Sequence, residues 1–376
     1  MNAATTELRP DRILIHAPNP LGDAVMAEPA IRAIAARFPH ARLEVQTTPA
    51  LAPLGRTWRF VDTVLTVYAG PRPVERLADL WAPHRLRRRR FDLCVLFPNA
   101  YRAAHLAARA GIPRRVGYAR YGREPLLTDP VPLPGDPRTV HMIAYYWGLA
   151  GAVGCGAMPA ARNLDAAPPR DVPRILGRDP RTAPRVEPTD EMREAAHRLL
   201  RRAGLGGEPV VAVAPGAAYG DAKRWPAASF GALCRRLAKE LGRPCVLLGS
   251  AAERALGAAV RESVGSGPAP VDLTGRTDLG TLIGVLAAAK LFVGNDSGPA
   301  HLAAALGCAG VALFGSTSEA YSGPVGPHMR ILHRHLPCSP CFERDCPLGH
   351  LDCLRGLGVD EVARAACLAL SNGGPS

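Results

Sequence analysis

Short apolar runs alternate with amphipathic stretches along most of the chain. In the first half, β-rich runs alternate with helical stretches; the runs are residues 12–16, 43–46, 61–67 and 92–97, and the main helical stretches are 24–38 and 100–110. In the second half, strands are predicted at 210–214, 245–248, 291–293 and 311–314, and helices at 190–203, 227–241, 253–264, 279–289, 299–305 and 359–370. Strands that alternate with helices predict a parallel, doubly wound sheet in each half.

The alternating pattern is interrupted once. Between residues 155 and 188 it gives way to Pro, Arg, Gly and Asp, and the later part of this stretch is predicted to connect two domains. A chain of 376 residues is long for one domain and comfortable for two. We therefore predict an α/β protein with two doubly wound, Rossmann-like domains that face each other across a cleft. The predicted bounds are 1–175, 190–350 and, for a C-terminal helix and tail, 351–376.

Composition narrows the class of protein. The chain has no apolar stretch of about 18 residues, and residues 1–10 lack the apolar segment of a secretory signal, so we expect a cytosolic protein. A net charge of +13 favours an acidic partner, either a phosphate-bearing substrate, an anionic membrane surface or nucleic acid. Only 5% of residues are aromatic and no nucleic-acid-binding motif is present, which argues against nucleic acid. The densest basic run, residues 84–90, is either a solvated helix end or a contact for lipid or acceptor phosphates.

Ten cysteines in a cytosolic protein do not predict a disulfide framework. Six are scattered and are expected to be small buried residues. The other four have the spacing Cys338-x2-Cys341-x4-Cys346-x6-Cys353. This spacing is compatible with zinc or an iron–sulfur cluster but lacks the paired C-x2-C knuckles of a zinc ribbon. We favour a structural role, as packed thiols or a disulfide, and assign no metal ligands, with a bound metal as the alternative.

Two strand-to-helix junctions carry the sharpest motifs. Asn19-Pro20-Leu21-Gly22-Asp23 follows the apolar run 13–15, and Gly294-Asn295-Asp296-Ser297-Gly298-Pro299-Ala300-His301 follows the run 291–293. In an open α/β sheet, helix N-terminal N–H groups converge at such junctions on anionic groups. At the second junction Ser297 is expected to cap the helix and the backbone to accept a diphosphate, with His301 one turn away. A structural role for His301 is the alternative.

A third loop, residues 215–226, follows the predicted strand 210–214. Its glycines permit close approach to a phosphate, and Lys223 or Arg224 supplies positive charge. The loop has no G-x-x-x-x-G-K-[ST] sequence and is therefore not a P-loop. The alternative is a polar loop that simply enters the next helix.

Two acidic residues are candidates for chemistry at strand ends. Asp23 is either a helix N-cap or a general base. Glu253 follows Leu248-Gly249-Ser250 and is placed where acidic residues often accept hydrogen bonds from ribose hydroxyls.

Together these segments resemble glycosyltransferase family 9, the ADP-heptose:lipopolysaccharide heptosyltransferases. The matching stretches are 13–37, 91–128, 210–250 and 273–315, and they leave 155–188 unmatched. The loop Lys223-Arg224-Trp225-Pro226 and the Asn-Asp-Ser-Gly-x-x-His turn are specific when they occur together in this order. The segment that begins Cys338-Ser339-Pro340-Cys341 also resembles many enzymes that add the second heptose.

The resemblance implies a GT-B fold, an acceptor-binding N-terminal half and a donor-binding C-terminal half. It implies ADP-heptose as donor, Kdo-lipid A or heptosyl-Kdo-lipid A as acceptor, and peripheral contact with the inner face of the inner membrane. Carried over, Asp23 is the general base and Lys223 faces the diphosphate, so both are predicted to be catalytic. The other predicted donor-binding residues are Ala217, Ala218, Glu253, Asp296, Ser297, Gly298 and His301, and the predicted acceptor-binding residues are Asn19, Asn99 and Arg120.

The predicted reaction is inverting heptosyl transfer to the inner core of lipopolysaccharide, with the second heptose favoured. Positive charge and a helix dipole do here what a metal does in other transferases, and no Asp-x-Asp motif is present, so no cofactor is expected. Two alternatives stay open: a family 9 transferase for another nucleotide sugar or acceptor, and a non-catalytic nucleotide- or nucleic-acid-binding protein.

Overall fold

A computed structural model of the protein describes residues 8–67, 81–164 and 167–373. The chain divides into two compact units, Met1–Ala161 and Arg162–Ser376. None of the helices among the described residues has both the length and the hydropathy that crossing a membrane requires.

The first unit is built on a six-stranded parallel sheet with the order β3-β2-β1-β4-β5-β6. Its elements are β1 (Arg12–His16), α1 (Leu21–Arg37), β2 (Arg42–Thr47), α2 (Ala52–Arg56), β3 (Thr63–Thr66), β4 (Leu93–Leu96), α3 (Tyr101–Arg109), β5 (Arg114–Tyr118), β6 (Asp129–Val131) and α4 (Met142–Ala150). This is the strand order of a dinucleotide-binding Rossmann sheet, in which the order reverses between β1 and β4. The central residues of β1, 13–15, and all of β4 are apolar and buried, as is typical of parallel strands covered on both faces.

The second unit repeats this arrangement with the order β12-β11-β10-β7-β8-β9, again parallel throughout. Its elements are α5 (Ala161–Leu164), α6 (Val172–Arg178), α7 (Asp190–Arg202), β7 (Val210–Ala214), α8 (Ala227–Leu241), β8 (Cys245–Leu247), α9 (Arg254–Glu262), β9 (Val271–Asp272), α10 (Leu279–Ala288), β10 (Ala289–Asn295), α11 (Gly298–Ala305), β11 (Gly310–Phe314), α12 (Glu319–Ser322), β12 (Met329–His333), α13 (Asp352–Arg355) and α14 (Val359–Gly373). The order therefore reverses between β7 and β10. The predicted α/β class with two doubly wound sheets is confirmed.

The C-terminal segment belongs to the core of the second unit. Val362 and Ala366 of α14 are fully buried in one apolar cluster with Val311 and Leu313 of β11. Trp225, at the end of the loop after β7, lies in the same cluster, and its indole N–H donates to the Leu357 carbonyl at 3.1 Å. Residues 357–366 therefore support the loop that leads out of β7.

Three expectations about local structure are wrong. The stretch 155–188 was expected to be irregular, but it contains α5 and α6. Four strands were missed: β5 begins with two arginines, β6 has three residues, β9 has two, and β12 is a half-buried edge strand. Asp23 is not an N-cap: Pro20 holds that position, and Asp23 lies in the first turn of α1.

Candidate functional site

The carboxyl ends of β7 and β10 form the switch point of the second sheet, where ligands bind in open α/β proteins. Asn295, the last residue of β10, joins the two loops that leave these strands. Its side chain is fully buried; its amide donates to the Pro215 carbonyl at 2.7 Å and its oxygen accepts from the Trp225 N–H at 3.1 Å. The loop between Pro215 and Trp225 is thus fixed at both ends by one side chain.

Lys223 lies on this loop and pairs with Asp296. Its ammonium nitrogen is 2.5 Å from Asp296 Oδ2, and the two side chains are 12% and 4% exposed. The Thr317 hydroxyl donates to the same carboxylate oxygen at 2.5 Å. The ammonium also lies 4.9 Å from the centre of the Tyr219 ring. A positive charge is therefore held at a defined position beside the start of α11.

The helix α11 begins without a side-chain cap. Ser297 is the N-cap residue in extended backbone conformation, but its hydroxyl donates to the Asn295 carbonyl at 3.1 Å and caps no helix N–H. The capping role expected for Ser297 is therefore wrong. Gly298 and Pro299 follow as the first helical residues, so the helix start presents its backbone with little side-chain bulk. Such a helix start favours an anionic group.

His301 lies one turn into α11 and is 5% exposed. Burial lowers the pKa of its imidazole to about 4, the Asp296 carboxylate acts in the opposite direction and the Lys223 ammonium adds to the lowering. At neutral pH this side chain is therefore uncharged, able to donate one hydrogen bond and accept another.

Glu253 lies against the first residues of the loop after β7. Its Oε2 accepts from the Ser250 N–H at 2.7 Å and from the Ser250 hydroxyl at 2.8 Å, as a capping box. A Cβ on Gly216 would lie 1.9 Å from Glu253 Oε1. Position 216 therefore has to be glycine for the carboxylate to approach the backbone this closely. One carboxylate oxygen of Glu253, the residue predicted to bind the ribose, is thus already used to cap a helix.

Residues 342–344 contact the loop that carries Lys223, and the sequence analysis did not predict this contact. The Tyr219 hydroxyl donates to the Phe342 carbonyl and Arg344 Nε donates to the Tyr219 carbonyl, both at 2.7 Å. The Arg344 carbonyl accepts from the Ala222 N–H at 3.0 Å, and a Cβ on Gly220 would lie 2.3 Å from it. Of the predicted donor-binding alanines nearby, Ala217 is buried and Ala218 is exposed.

Residues 342–344 lie within the cysteine cluster, between Cys341 and Cys346. None of the ten cysteines forms a disulfide, so the disulfide alternative for the cluster is wrong. Cys353 is 7% exposed and packs in the core, whereas Cys338, Cys341 and Cys346 are half-buried. Backbone N–H groups of residues 348–351 lower the pKa of the Cys346 thiol, with Leu351 contributing most.

In the first unit, Asp23 is half-buried and lies in the first turn of α1, the helix that follows β1. Asn19 is exposed just ahead of the same helix. The loop after β4, on the other side of this switch point, enters α3, whose N-cap residue Ala100 provides no side-chain cap. Two helix N-termini therefore flank the switch point of the first sheet.

A polar cluster lies at the ends of β4 and β5. The Asn99 amide donates to the Tyr145 hydroxyl at 2.7 Å, and Arg120 also interacts with that hydroxyl. Arg123, which sequence reasoning missed, is fully buried and donates to the Tyr118 carbonyl at 2.9 Å, to the Pro98 carbonyl and to Asn99 Oδ1 at 3.3 Å. Two predicted acceptor-binding residues, Asn99 and Arg120, are therefore neighbours around one tyrosine.

Positive charge affects His16, the last residue of β1. Burial, together with the charges of Arg102 and Arg123, lowers the pKa of its imidazole to about 4. Two guanidinium groups therefore act on the carboxyl end of β1 and disfavour a further cation there. Within the basic run 84–90, Arg89 instead pairs with the fully buried Glu44, which also binds Arg12 at 2.5 Å.

Comparison with known proteins decides the family. The sequence profile of glycosyltransferase family 9 (heptosyltransferase) matches residues 81–352, which is more than half of the chain. This chain belongs to glycosyltransferase family 9. It is an enzyme of the glycosyltransferase class, as the sequence predicted.

Named relatives of this family 9 glycosyltransferase agree. It is 30% identical over 325 residues to lipopolysaccharide heptosyltransferase 2 of Salmonella typhimurium, with 85% of this chain and 87% of that protein covered. It is 28% identical over 323 residues to lipopolysaccharide heptosyltransferase 2 of Escherichia coli, with the same coverage.

Solved structures of similar fold include E. coli ADP-heptose LPS heptosyltransferase II, with a TM-score of 0.75 and 26% identity over 96% of this chain and 98% of that one. A family 9 glycosyl transferase from Veillonella parvula has a TM-score of 0.77 and 20% identity over 97% of this chain and 99% of that one. The predicted GT-B fold class of this family 9 glycosyltransferase is thereby confirmed.

Proposed function

We propose that this family 9 glycosyltransferase transfers L-glycero-D-manno-heptose from ADP-heptose to the inner core of lipopolysaccharide, with inversion at the anomeric carbon. The observation that carries the proposal is the buried Lys223–Asp296 pair beside the uncapped start of α11, at the switch point of the second sheet. A diphosphate needs both features, an ammonium group and free helix N–H groups. The names of the relatives from S. typhimurium and E. coli supply the sugar and the acceptor class.

The donor is expected to lie over the loop after β7 and the start of α11. Lys223 contacts the diphosphate, while Asp296 and Thr317 hold the ammonium in place. Ala217, Ala218 and the backbone at Ser297 and Gly298 leave room for the nucleotide sugar. His301 donates or accepts one hydrogen bond as a neutral imidazole, and Glu253 binds the ribose with the carboxylate oxygen that faces Gly216.

The reaction breaks the bond between the anomeric carbon and the diphosphate oxygen, and forms a bond from that carbon to an acceptor hydroxyl oxygen. Asp23 takes the hydroxyl proton as general base. ADP leaves with the electron pair of the broken bond, and its developing charge is stabilised by Lys223 and the α11 start. Attack from the face opposite to ADP converts the β-linked heptose of the donor into an α-linked product.

The acceptor carries phosphates and Kdo carboxylates and is expected to bind the first unit. Asn19, Asn99 and Arg120 are the proposed contacts, in the positive environment that affects His16. A net charge of +13 suits an enzyme that meets this acceptor on an anionic membrane surface, at the inner face of the inner membrane.

The test is incubation of the purified enzyme with ADP-heptose and either Kdo-lipid A or heptosyl-Kdo-lipid A, followed by mass spectrometry and by NMR of the new linkage. We expect addition of one heptose to heptosyl-Kdo-lipid A through an α linkage. Preferential addition to Kdo-lipid A would reassign the enzyme to the first heptose. Absence of heptosyl transfer to both acceptors, with turnover of another nucleotide sugar, would overturn the proposal.

A further inference from the structure

Two histidines and a glutamate meet at the carboxyl ends of β11 and β12, outside the proposed donor contacts. His333 ends β12, and His335 follows two residues later with its ring against that of His333. Their ring centres are 4.4 Å apart. Glu319 begins α12 just after β11, the strand that pairs with β12.

The donor atoms of this cluster are already close together. Glu319 Oε2 is 2.6 Å from His333 Nδ1, and Glu319 Oε1 is 3.3 Å from His335 Nε2. One ligand atom from each of the three residues lies within 4.8 Å of the other two. Glu319 and His333 are each 2% exposed, whereas His335 is 56% exposed, so the cluster opens to solvent on one side.

The hydrogen bonds around His333 determine which of its two ring nitrogens carries the hydrogen and which carries the lone pair. The Ser339 hydroxyl donates its single hydrogen to the Gly315 carbonyl at 2.5 Å. It must therefore accept from His333 Nε2–H, 2.9 Å away. In the neutral imidazole of this tautomer the lone pair is on Nδ1, the ring nitrogen that lies 2.6 Å from Glu319 Oε2. Nδ1 therefore faces the cluster with the atom that a metal ion would use.

A metal ion bound to His333 Nδ1 is compatible with the hydrogen bonds that Ser339 already makes to the other ring nitrogen and to the Gly315 carbonyl. Metal-binding histidines typically donate their other ring N–H to an oxygen, which fixes the tautomer and the ring orientation. Ser339 provides this oxygen and is itself fixed by the Gly315 carbonyl. Two imidazole nitrogens and one carboxylate oxygen are a donor set that suits Zn²⁺, with solvent available for a fourth position.

We propose that Glu319, His333 and His335 form a binding site for a divalent transition-metal ion, with Zn²⁺ as the ion their donor atoms favour. The ion would fix residues 315–319, the segment that also carries Thr317, the hydroxyl partner of Asp296. Its role is to hold this segment in place, and it contacts neither Lys223 nor the sugar. The site therefore stands independently of the identity of the sugar and the acceptor.

The test is metal binding by the full chain in the absence of donor and acceptor. Metal-free protein is titrated with Zn²⁺ by calorimetry, and protein purified without added metal is analysed for its metal content. We expect the wild type to bind Zn²⁺ and His335→Asn to weaken this binding by more than about 100-fold, since loss of a direct ligand exceeds the 10–100-fold effect of losing an outer partner. Because His335 is exposed, this variant is expected to remain folded.

Cys346→Ser is the matched control, because the clustered cysteine thiols are the other candidate ligands for zinc. We expect it to retain the affinity that His335→Asn loses, and Glu319→Gln to behave like His335→Asn. Loss of Zn²⁺ in Cys346→Ser with full retention in His335→Asn would overturn the proposal and assign the ion to the thiols. A wild-type chain that binds no Zn²⁺, with its fold intact by circular dichroism, would also overturn it.

Discussion

The Lys223 ammonium nitrogen lies 2.5 Å from Asp296 Oδ2, although the two residues are 73 positions apart and follow different strands in the chain. The pair joins the loop after β7 to the end of β10, at the point where the strand order of the second sheet reverses. Since both side chains are largely buried, the positive charge is positioned before a substrate arrives. Preorganised charge of this kind stabilises a leaving group without reorganisation during the reaction.

Lys223→Ala is expected to lower kcat/KM for ADP-heptose by about 100-fold or more, the effect of losing one preorganised donor to a developing negative charge. Steady-state kinetics and ADP affinity by calorimetry measure this. Lys239→Ala, an exposed lysine on α8, is the matched control and should change neither value.

Removal of Lys223 also leaves the Asp296 carboxylate buried without its cation, which is destabilising in itself. Lys223→Ala combined with Asp296→Asn separates the two effects, because it removes the uncompensated charge. The double variant should recover stability to urea but remain catalytically impaired. Unchanged ADP affinity and turnover in Lys223→Ala would contradict the donor-site assignment.

Asp23→Asn is expected to reduce kcat by about 10²–10⁴-fold, because the amide keeps the shape of the side chain but cannot accept the hydroxyl proton. ADP-heptose binding should change little. Asp190→Asn, which alters an exposed acid in the first turn of α7, provides the control for a general helix-dipole effect. If Asp23→Asn turned over at the wild-type rate, the general base would have to be another residue.

Arg120→Ala is expected to raise the KM for the lipopolysaccharide acceptor by about tenfold, the equivalent of one lost charge-assisted hydrogen bond. The KM for ADP-heptose should stay constant, because Arg120 belongs to the first unit. Arg202→Ala, an exposed arginine at the end of α7, serves as the comparison. An equal rise in both KM values would indicate a structural role for Arg120 instead.

Stability should fall on acidification because of His301. Burial lowers the pKa of its imidazole from 6.5 to about 4, so between these values the unfolded chain binds a proton that the folded chain does not. The contribution of His301 is therefore complete above about pH 6.5 and is lost progressively as the pH falls toward 4. From pH 7.5 to 5 the loss is about 2 kcal/mol.

Urea unfolding of the wild type and of His301→Gln at pH 7.5 and pH 5.0 tests this expectation. The wild type should lose about 2 kcal/mol more than the variant between these conditions, because only the wild type carries the titrating imidazole. Identical losses in the two proteins would show that His301 takes up its proton equally easily in both states.

The sequence predicted the sheets well where strands are buried on both faces. Residues 12–16 and 210–214 were predicted with the bounds that the structure gives, since continuous apolar runs mark strands covered on both sides. Edge strands give no such signal, which explains the missed β6, β9 and β12, and the inner strand β5 was missed because it begins with Arg114 and Arg115. Ser297 illustrates a different limit: the residue type at an N-cap position does not determine where its hydroxyl points.

The site was predictable only as far as local motifs extend. Lys223, Asp296 and His301 lie in short motifs at strand ends, and the structure brings these three together. Thr317 has no motif of its own, but it follows β11 and could be found once the strand order is known. The contact between Tyr219 and Arg344 spans 125 positions and involves a backbone carbonyl, which leaves no pattern in the sequence.

Contacts with residues far downstream determine when the loop that carries Lys223 can fold during synthesis. The loop that carries Lys223 takes its shape from the Arg344 carbonyl and the Leu357 carbonyl, which the ribosome produces more than a hundred residues later. An emerging chain can complete the first sheet early, as N-terminal units generally do. The loop that carries Lys223 cannot reach its final form until the chain is nearly finished. Translation products that stop before residue 344 would therefore lack the contacts that shape this loop, even if their parallel strands had formed.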